Sequence, residues 1–174
     1  PKANRAKCEP LHGFFQIPGP PAATVSLASW SIIKPRSRAG VPMSEILAPV
    51  SFGELLDKVT ILQIKSERMS DAGKVANVRK ELMALERIWN EHPASNVDVS
   101  GLLGELKAVN ERLWVIEDDI RILEKGRQFD DAFVQLARSV YFENDERARI
   151  KKEINLALGS AYIEEKSYQD YRNP

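Results

Sequence analysis

The chain has 174 residues, of which 43% are hydrophobic, with 25 Lys and Arg balanced by 25 Asp and Glu. One domain of ordinary size fits that length, and zero net charge argues against a nucleic-acid partner, because neutralising phosphates takes a basic excess. Cys8 alone excludes an intrachain disulfide framework, which leaves the reducing cytoplasm as the expected compartment, and the isolated His12 and His92 make no metal site, so no metal or cofactor is expected.

The totals hide a seam. Residues 1–42 hold seven of the ten prolines, six basic residues and one acid, Glu9, for a net charge of +5, which leaves −5 on residues 43–174. Pro18, Pro20 and Pro21 fix φ and remove backbone donors, so no transmembrane helix runs through this stretch and no membrane partner is expected. The same prolines cut the apolar run Phe14-Phe15-Gln16-Ile17, where a secretory signal needs about 7–15 unbroken apolar residues. Residues 1–42 are read as disordered or as non-native upstream sequence. Met43 is then the expected true start, and 43–174 the folded domain.

Within that domain, Ser51-Phe-Gly-Glu54 is a capping box just after Pro49, and it predicts a helix from Phe52 to about Met69. Phe52, Leu55, Val59, Leu62 and Met69 form its apolar stripe, widened by Leu56 and Ile61, while Lys58, Lys65 and Arg68 follow one another at steps of 7 and 3. Ser70-Asp-Ala-Gly73 breaks the pattern. A second helix runs to about Glu91, with Val75, Val78, Leu82, Leu85 and Trp89 inward and Arg79, Lys80, Glu86 and Arg87 outward, and it forms an antiparallel hairpin with the first. His92-Pro93 ends it, because the residue before proline avoids the helical region.

The third helix is expected from Ser100 to Gly126, with Gly126 as the left-handed terminator. Its seam is Leu106, Val109, Leu113, Ile116, Ile120 and Leu123. The fourth segment runs from Phe129 to about Tyr168 with Phe133, Leu136, Val140, Ile150, Ile154, Leu158 and Ala161 inside. It is one long helix or two, since Asn144-Asp145 at its middle favour caps over interiors. No stretch alternates with period two. The fold class is therefore all-α, an up-and-down antiparallel bundle of four to five long helices.

The chemistry is expected on polar stripes beside the seams. Asn110, Trp114, Glu117, Arg121 and Glu124 are spaced 4, 3, 4 and 3 along one helix face. Arg138, Tyr141, Asp145, Lys152 and Asn155 follow a similar course on the fourth segment, with Asn144 beside them. If these faces converge with Lys58, Lys65 and Arg68, they surround a groove of cations, carboxylates, amides and a tryptophan. That inventory suits a small anionic metabolite or a partner helix. The competing reading is a solvated flank with i,i+4 ion pairs such as Glu117 with Arg121, and Trp114 reads first as an anchor at the core's rim and only second as a ligand platform. Asn110, Asn144 and Asn155 favour a site, because they are mediocre helix formers that a purely structural surface would replace with Glu, Lys or Gln.

Enzyme templates fit poorly. Gly101-Leu-Leu-Gly104 has neither the spacing nor the preceding strand of a phosphate loop, and no histidine is placed to serve a nucleophile. Glu117-Asp118-Asp119 point about 100° apart on a helix and cannot gather on one Mg²⁺. Glu54-x-x-Asp57 followed by Glu143-x-x-Glu146 reverses the order found in helical nucleotide pyrophosphohydrolases. Glu67-Arg68, Val75 and Arg79 resemble the spacing of all-helical chorismate mutases over about 30 residues. That resemblance implies a small enzyme using Arg clamps, with Arg68, Arg121 and Arg138 on the anion and Glu117 as acid or base. It departs where that family's earlier arginine falls on Ser51 and its later acidic and basic partners fall on Ile88 and Glu91.

A second resemblance covers residues 45–171. The stretches Pro49-Val-Ser-Phe-Gly-Glu-Leu-Leu-Asp-Lys-Val-Thr-Ile-Leu62, Asn110-Glu-Arg-Leu-Trp-Val-Ile-Glu-Asp-Asp-Ile-Arg121, Ala137-Arg-Ser-Val-Tyr141, Asn144-Asp-Glu-Arg-Ala-Arg-Ile-Lys151 and Glu164-Glu-Lys-Ser-Tyr168 resemble a bacterial and phage family of uncharacterised small helical proteins, a domain of unknown function. The resemblance implies a setting beside glycosyltransferase or surface-polysaccharide genes; the polar stripes themselves lead to the expectation of a cytoplasmic binding or accessory module, a homodimer among its expected states. No activity comes with it, so enzyme status stays open and leans to a non-enzyme.

Overall fold

The computed structural model describes residues 46–167, within a unit that begins at Leu47. The seam expected at residue 42 and the start expected at Met43 lie outside the described residues. Four α-helices make up the body: α1 (Phe52–Arg68), α2 (Ala72–Glu91), α3 (Ser100–Gly126) and α4 (Asp131–Ala157), with a 3-10 turn at Pro93–Asn96 between α2 and α3. Among the described residues there is no strand. No described helix is long and apolar enough to cross a membrane.

The starts follow from local chemistry. The side chains of Ser51, Asp71 and Asp130 accept from the amides of Glu54, Lys74, and Ala132 and Phe133, so each gives a first-turn donor a partner. Pro93 forces the chain out of α2, and Phe52 packs edge-on against both His92 and Trp89 at 5.0 and 6.1 Å, closing that end of the molecule.

The bundle is all-α, as the apolar periodicity predicts, but it is not a symmetric square. α1 packs against the other three helices, α3 against α4, and α2 against α1 alone among the helices. The core is Leu56, Leu106, Val109, Ile150 and Ile154, with Phe52, Trp89, Leu102, Leu103 and Leu158 packed against it. α2 buries no residue completely; its expected inward set, Val75, Val78, Leu82, Leu85 and Trp89, is half-buried because a single helix covers it.

Three expectations change, and one left open, whether the fourth segment is one helix or two, is decided. The left-handed position after α3 falls on Arg127 (φ 53°) while Gly126 stays helical. The fourth segment is one helix running straight through Asn144-Asp145, because Asn144 donates to the Val140 carbonyl at 2.8 Å and so takes a helical role. It also stops at Ala157, well short of Tyr168, where Gly159 takes φ 64° and leaves Ala161 exposed. Finally, α1 has 17 residues against 27 in α3 and α4, so the α3–α4 hairpin outruns it by about 15 Å at 1.5 Å per residue. Beyond Leu113 the α3 seam positions Ile116, Ile120 and Leu123 are accordingly only half-buried.

Candidate functional site

The most buried polar chemistry lies where α1, α3 and α4 meet. Asp57, 1% exposed, is the centre. Arg147 grips it with two prongs, Nε on Oδ1 at 2.9 Å and Nη2 on Oδ2 at 2.5 Å, and Asn110 Nδ2 donates to Oδ1 at 2.8 Å. The same amide donates to Thr60 Oγ1 at 3.0 Å, and Thr60 passes its own hydroxyl hydrogen to the Asp57 carbonyl. One turn further along α4, Lys151 donates to Glu54 at 2.5 Å and to Glu164 at 3.0 Å, and stands 4.0 Å from Asp57. A turn beyond that, buried Asn155 accepts from the Gly53 amide at 2.6 Å.

The electrostatics are those of a closed network. The two-pronged bond to Asp57 holds the Arg147 guanidinium above its usual pKa against the cost of burial. Burial pulls the Lys151 ammonium down, but its bonds to Glu54 and Glu164, with Asp57 near, outweigh that and raise it. Glu164 is held below the ordinary carboxyl value by the bond from Lys151. Both Asp57 oxygens are occupied by donors. A carboxylate that is 1% exposed and accepts three hydrogen bonds from its neighbours serves to orient them and is poorly placed to reach a substrate proton.

Beside this network a groove of about 300 Å³ opens between α1 and α3. Ile61, Ile64 and Leu113 form its apolar wall, Asn110 lies at the network side, and Trp114, Glu117, Asp118 and Arg121 follow along α3. Arg121 is folded onto its own helix, with Nη1 2.5 Å from Glu117 Oε2 and 2.6 Å from the Glu117 carbonyl.

The span of these features coincides with a known sequence family. The chain belongs to a family of unknown function, DUF6165, whose model matches residues 46–173. No curated protein matches the chain, and no solved structure matches it. The match takes in the whole of this network and groove, from Gly53 to Glu164.

The residues singled out in this DUF6165 chain divide into three groups. Asn110, Trp114, Glu117 and Arg121 do line one groove. Asn110, Asn144 and Asn155 all enter the buried network, Asn144 through a 3.4 Å contact from Arg147 Nη1. The remainder lie elsewhere: Lys58 pairs with Glu81 of α2 at 2.9 Å, Lys152 with Glu165 at 3.2 Å, and Arg68 lines a separate recess with Arg112, Val115 and Glu143. Lys65 is half-buried on α1 and lines neither hollow. On α4, Arg138 and Tyr141 are exposed, Tyr141 with its ring 4.8 Å from Phe142, and Asp145 is half-buried; none of the three lines the groove.

Sequence reasoning missed Gly53, Asp57, Thr60, Arg147 and Lys151. The signal was present: Asn144, Arg147, Lys151 and Asn155 step by 3, 4 and 4 alongside the buried Ile150 and Ile154. Gly53, Asp57 and Thr60 step by 4 and 3 inside the apolar stripe of α1.

Proposed function

We propose that this DUF6165 chain is a binding or accessory module rather than a catalyst, and that its ligand or partner segment seats in the α1–α3 groove. The observation that carries the reading is how the groove is built: an apolar wall and the Trp114 ring stand beside a buried amide, Asn110, held by Asp57 and Thr60. Such pre-positioned polar groups in a mostly apolar concavity are the usual make-up of binding sites. The absence of Ser, Cys and His from the groove's lining favours binding over turnover. The Arg-clamp enzyme draws no comparable support, because Arg68 and Arg121 line different hollows and Arg138 lines neither.

Thermal shift tests this on the whole chain, since a ligand of the folded state raises Tm by mass action. The panel holds nucleotides, nucleotide sugars, sugar phosphates, dicarboxylates, amines and basic or acidic peptides; the nucleotide sugars address the proposed link to surface-polysaccharide pathways. Trp114→Leu, which keeps apolar bulk, is expected to abolish the hit while leaving the unliganded Tm within a few degrees. A flat response across the panel defeats the reading.

A homodimer is proposed on the end of the α3–α4 hairpin that outruns α1, where Ile116, Ile120 and Leu123 of α3 and Phe133, Leu136 and Val140 of α4 are apolar and only half-buried. Side by side over about 20 Å, two helices each about 10 Å across present roughly 400 Å² per copy. Two copies then bury about 800 Å² in total, below the roughly 1,200–2,000 Å² of stable specific pairs, so weak self-association in sedimentation velocity, lost in Ile120→Lys, is the expected outcome.

A further inference from the structure

We infer that the α1–α3 groove selects an organic cation on an apolar stem: a primary ammonium or guanidinium carried by an alkyl chain. The inference rests on the binding reading above and concerns the sign of the ligand.

The argument starts at Asn110, which is only 6% exposed. Its amide has two ends, and the network decides which faces where. Asp57 can only accept, and the Thr60 hydroxyl hydrogen is committed to the Asp57 carbonyl at 2.9 Å, so the Nδ2 end must face both of them. The Oδ1 end is thereby turned away. It receives no hydrogen bond among the described residues, yet no described buried side-chain oxygen or nitrogen is left without a partner. Oδ1 therefore meets solvent, and the solvent that Asn110 borders is the groove. A ligand that displaces solvent there without donating to Oδ1 would leave that acceptor unpaired at a cost in free energy, so the position favours a donor.

The next turns of α3 repeat the sign. Glu117 and Asp118 bring two carboxylates to the lining against one guanidinium, and that guanidinium is folded onto the Glu117 side chain and carbonyl. Asp118 makes no ion pair among the described residues. The groove thus offers acceptors: an amide oxygen at its inner end and carboxylate oxygens at its rim. Between them stands Trp114, whose ring face attracts cations by its quadrupole. Ile61, Ile64 and Leu113 would shield the methylenes of a stem whose head is hydrogen-bonded. An anion entering here meets a lining that is net negative, with Arg121 already paired to Glu117 and Asp118 uncompensated, so an anionic metabolite fits this groove poorly.

The test uses the full chain and compares matched ions. n-Butylammonium, 1,5-diaminopentane and a Lys-rich peptide are titrated against n-butyrate, with Trp fluorescence and amide chemical shifts as readouts. Saturable perturbation of Trp114 by the cations and none by butyrate is expected. Asp118→Asn, at an exposed position, should weaken cation binding roughly fivefold to tenfold, as the loss of one charge-assisted contact does, without moving Tm. Glu117→Gln should act in the same direction. A peptide that binds while the free amines do not identifies a partner's side chain as the source; the reverse identifies a free amine, and both outcomes keep the inference. Butyrate binding as well as or better than butylammonium overturns it, as does cation binding indifferent to both substitutions. A ligand found by the wider panel that carries no cation defeats the inference alone, whereas silence across that panel defeats the binding reading itself.

Discussion

Asp57→Asn removes one charge from the centre of the molecule and changes almost nothing else. The side chain is 2% exposed and accepts from two Arg147 nitrogens, one on each oxygen, and from the Asn110 amide, which shares Oδ1. Asparagine is nearly isosteric, so no cavity opens. One end of the new amide is a donor, however, and whichever way it turns it meets another donor, Arg147 or Asn110. The Arg147 guanidinium loses its counter-charge and the Lys151 ammonium, 10% exposed, loses a carboxylate 4.0 Å away. Removing one partner of a buried pair costs about 3–5 kcal/mol, and because Arg147 keeps 27% of its side chain in solvent the expected cost lies at the low end, about 3 kcal/mol. For a chain of this size that lowers Tm by roughly 6–12 °C. Urea unfolding followed by circular dichroism measures it, together with Arg147→Met and the double variant. The pair shares its bonds, so the double variant is expected to lose less than the sum of the singles by about 1.5 kcal/mol or more. Arg149→Ala is the comparison: its pairs with Glu105, Glu146 and Glu153 are exposed, and the midpoint is expected to stay nearly unchanged. A cost below about 1 kcal/mol for Asp57→Asn, or strict additivity with Arg147→Met, would refute the argument that this carboxylate organises the bundle.

Other outcomes follow from single positions. A Cβ on Gly53 would sit 2.5 Å from the Lys151 carbonyl and 3.1 Å from the Asn155 amide, so Gly53→Ala should cost about 1–3 kcal/mol in the same unfolding assay, while Gly104→Ala, with nothing within 4 Å, should stabilise by about 0.5–1 kcal/mol. Arg127→Gly relieves a left-handed residue that carries a side chain, and a gain of about 1 kcal/mol is expected; a loss would show that the side chain does more than cap α3. Glu164 has its carboxyl held below the ordinary value of 4.5 by the bond from Lys151, so its contribution to stability is complete above that pH and is lost as pH falls through the lower folded-state value. Lys151 has the opposite sign: its raised pKa means its share is present below pH 10.5 and is lost as pH rises past it. A carbon-detected NMR titration reads Glu164 directly, and a midpoint at or above 4.5 contradicts the pairing.

How much of this was legible follows from what each feature depends on. The start of α1 and the end of α2 were legible because Ser51 and Pro93 act on their immediate neighbours. The end of α3 was not: whether Gly126 or Arg127 takes the left-handed turn depends on where the last helical hydrogen bonds close, and Gln128 bonding back to Leu123 places that closure one residue later. Part of the buried network was legible as well. The three asparagines stood out as poor helix formers, and each proved to be bonded in the interior. Asp57, Arg147 and Lys151 were hidden because a charged residue at a helical position is ordinarily solvated, and only the partner on another helix turns it inward. That partner is set by packing, which a one-dimensional pattern does not contain.

The network and the groove are two consequences of how α1 lies on the hairpin. Gly53 lets the start of α1 come within backbone contact of α4, and the 2.6 Å bond from its amide to Asn155 fixes that approach. A second tie, Asp57 to Arg147 and Asn110, follows one turn later, where α1, α3 and α4 are still in contact. Past Thr60 the described hydrogen bonds tying α1 to α4 cease, and Ile61 and Ile64 instead face the hollow lined by Leu113 and Trp114. The helix is therefore held firmly at one end and bounds an open groove toward the other. A polar clamp suits that arrangement better than more leucine would, because hydrogen bonds fix register as well as proximity while apolar contact fixes only proximity. Asn110 sits at the boundary between the two regimes, and its position there turns a structural tie into one wall of a site.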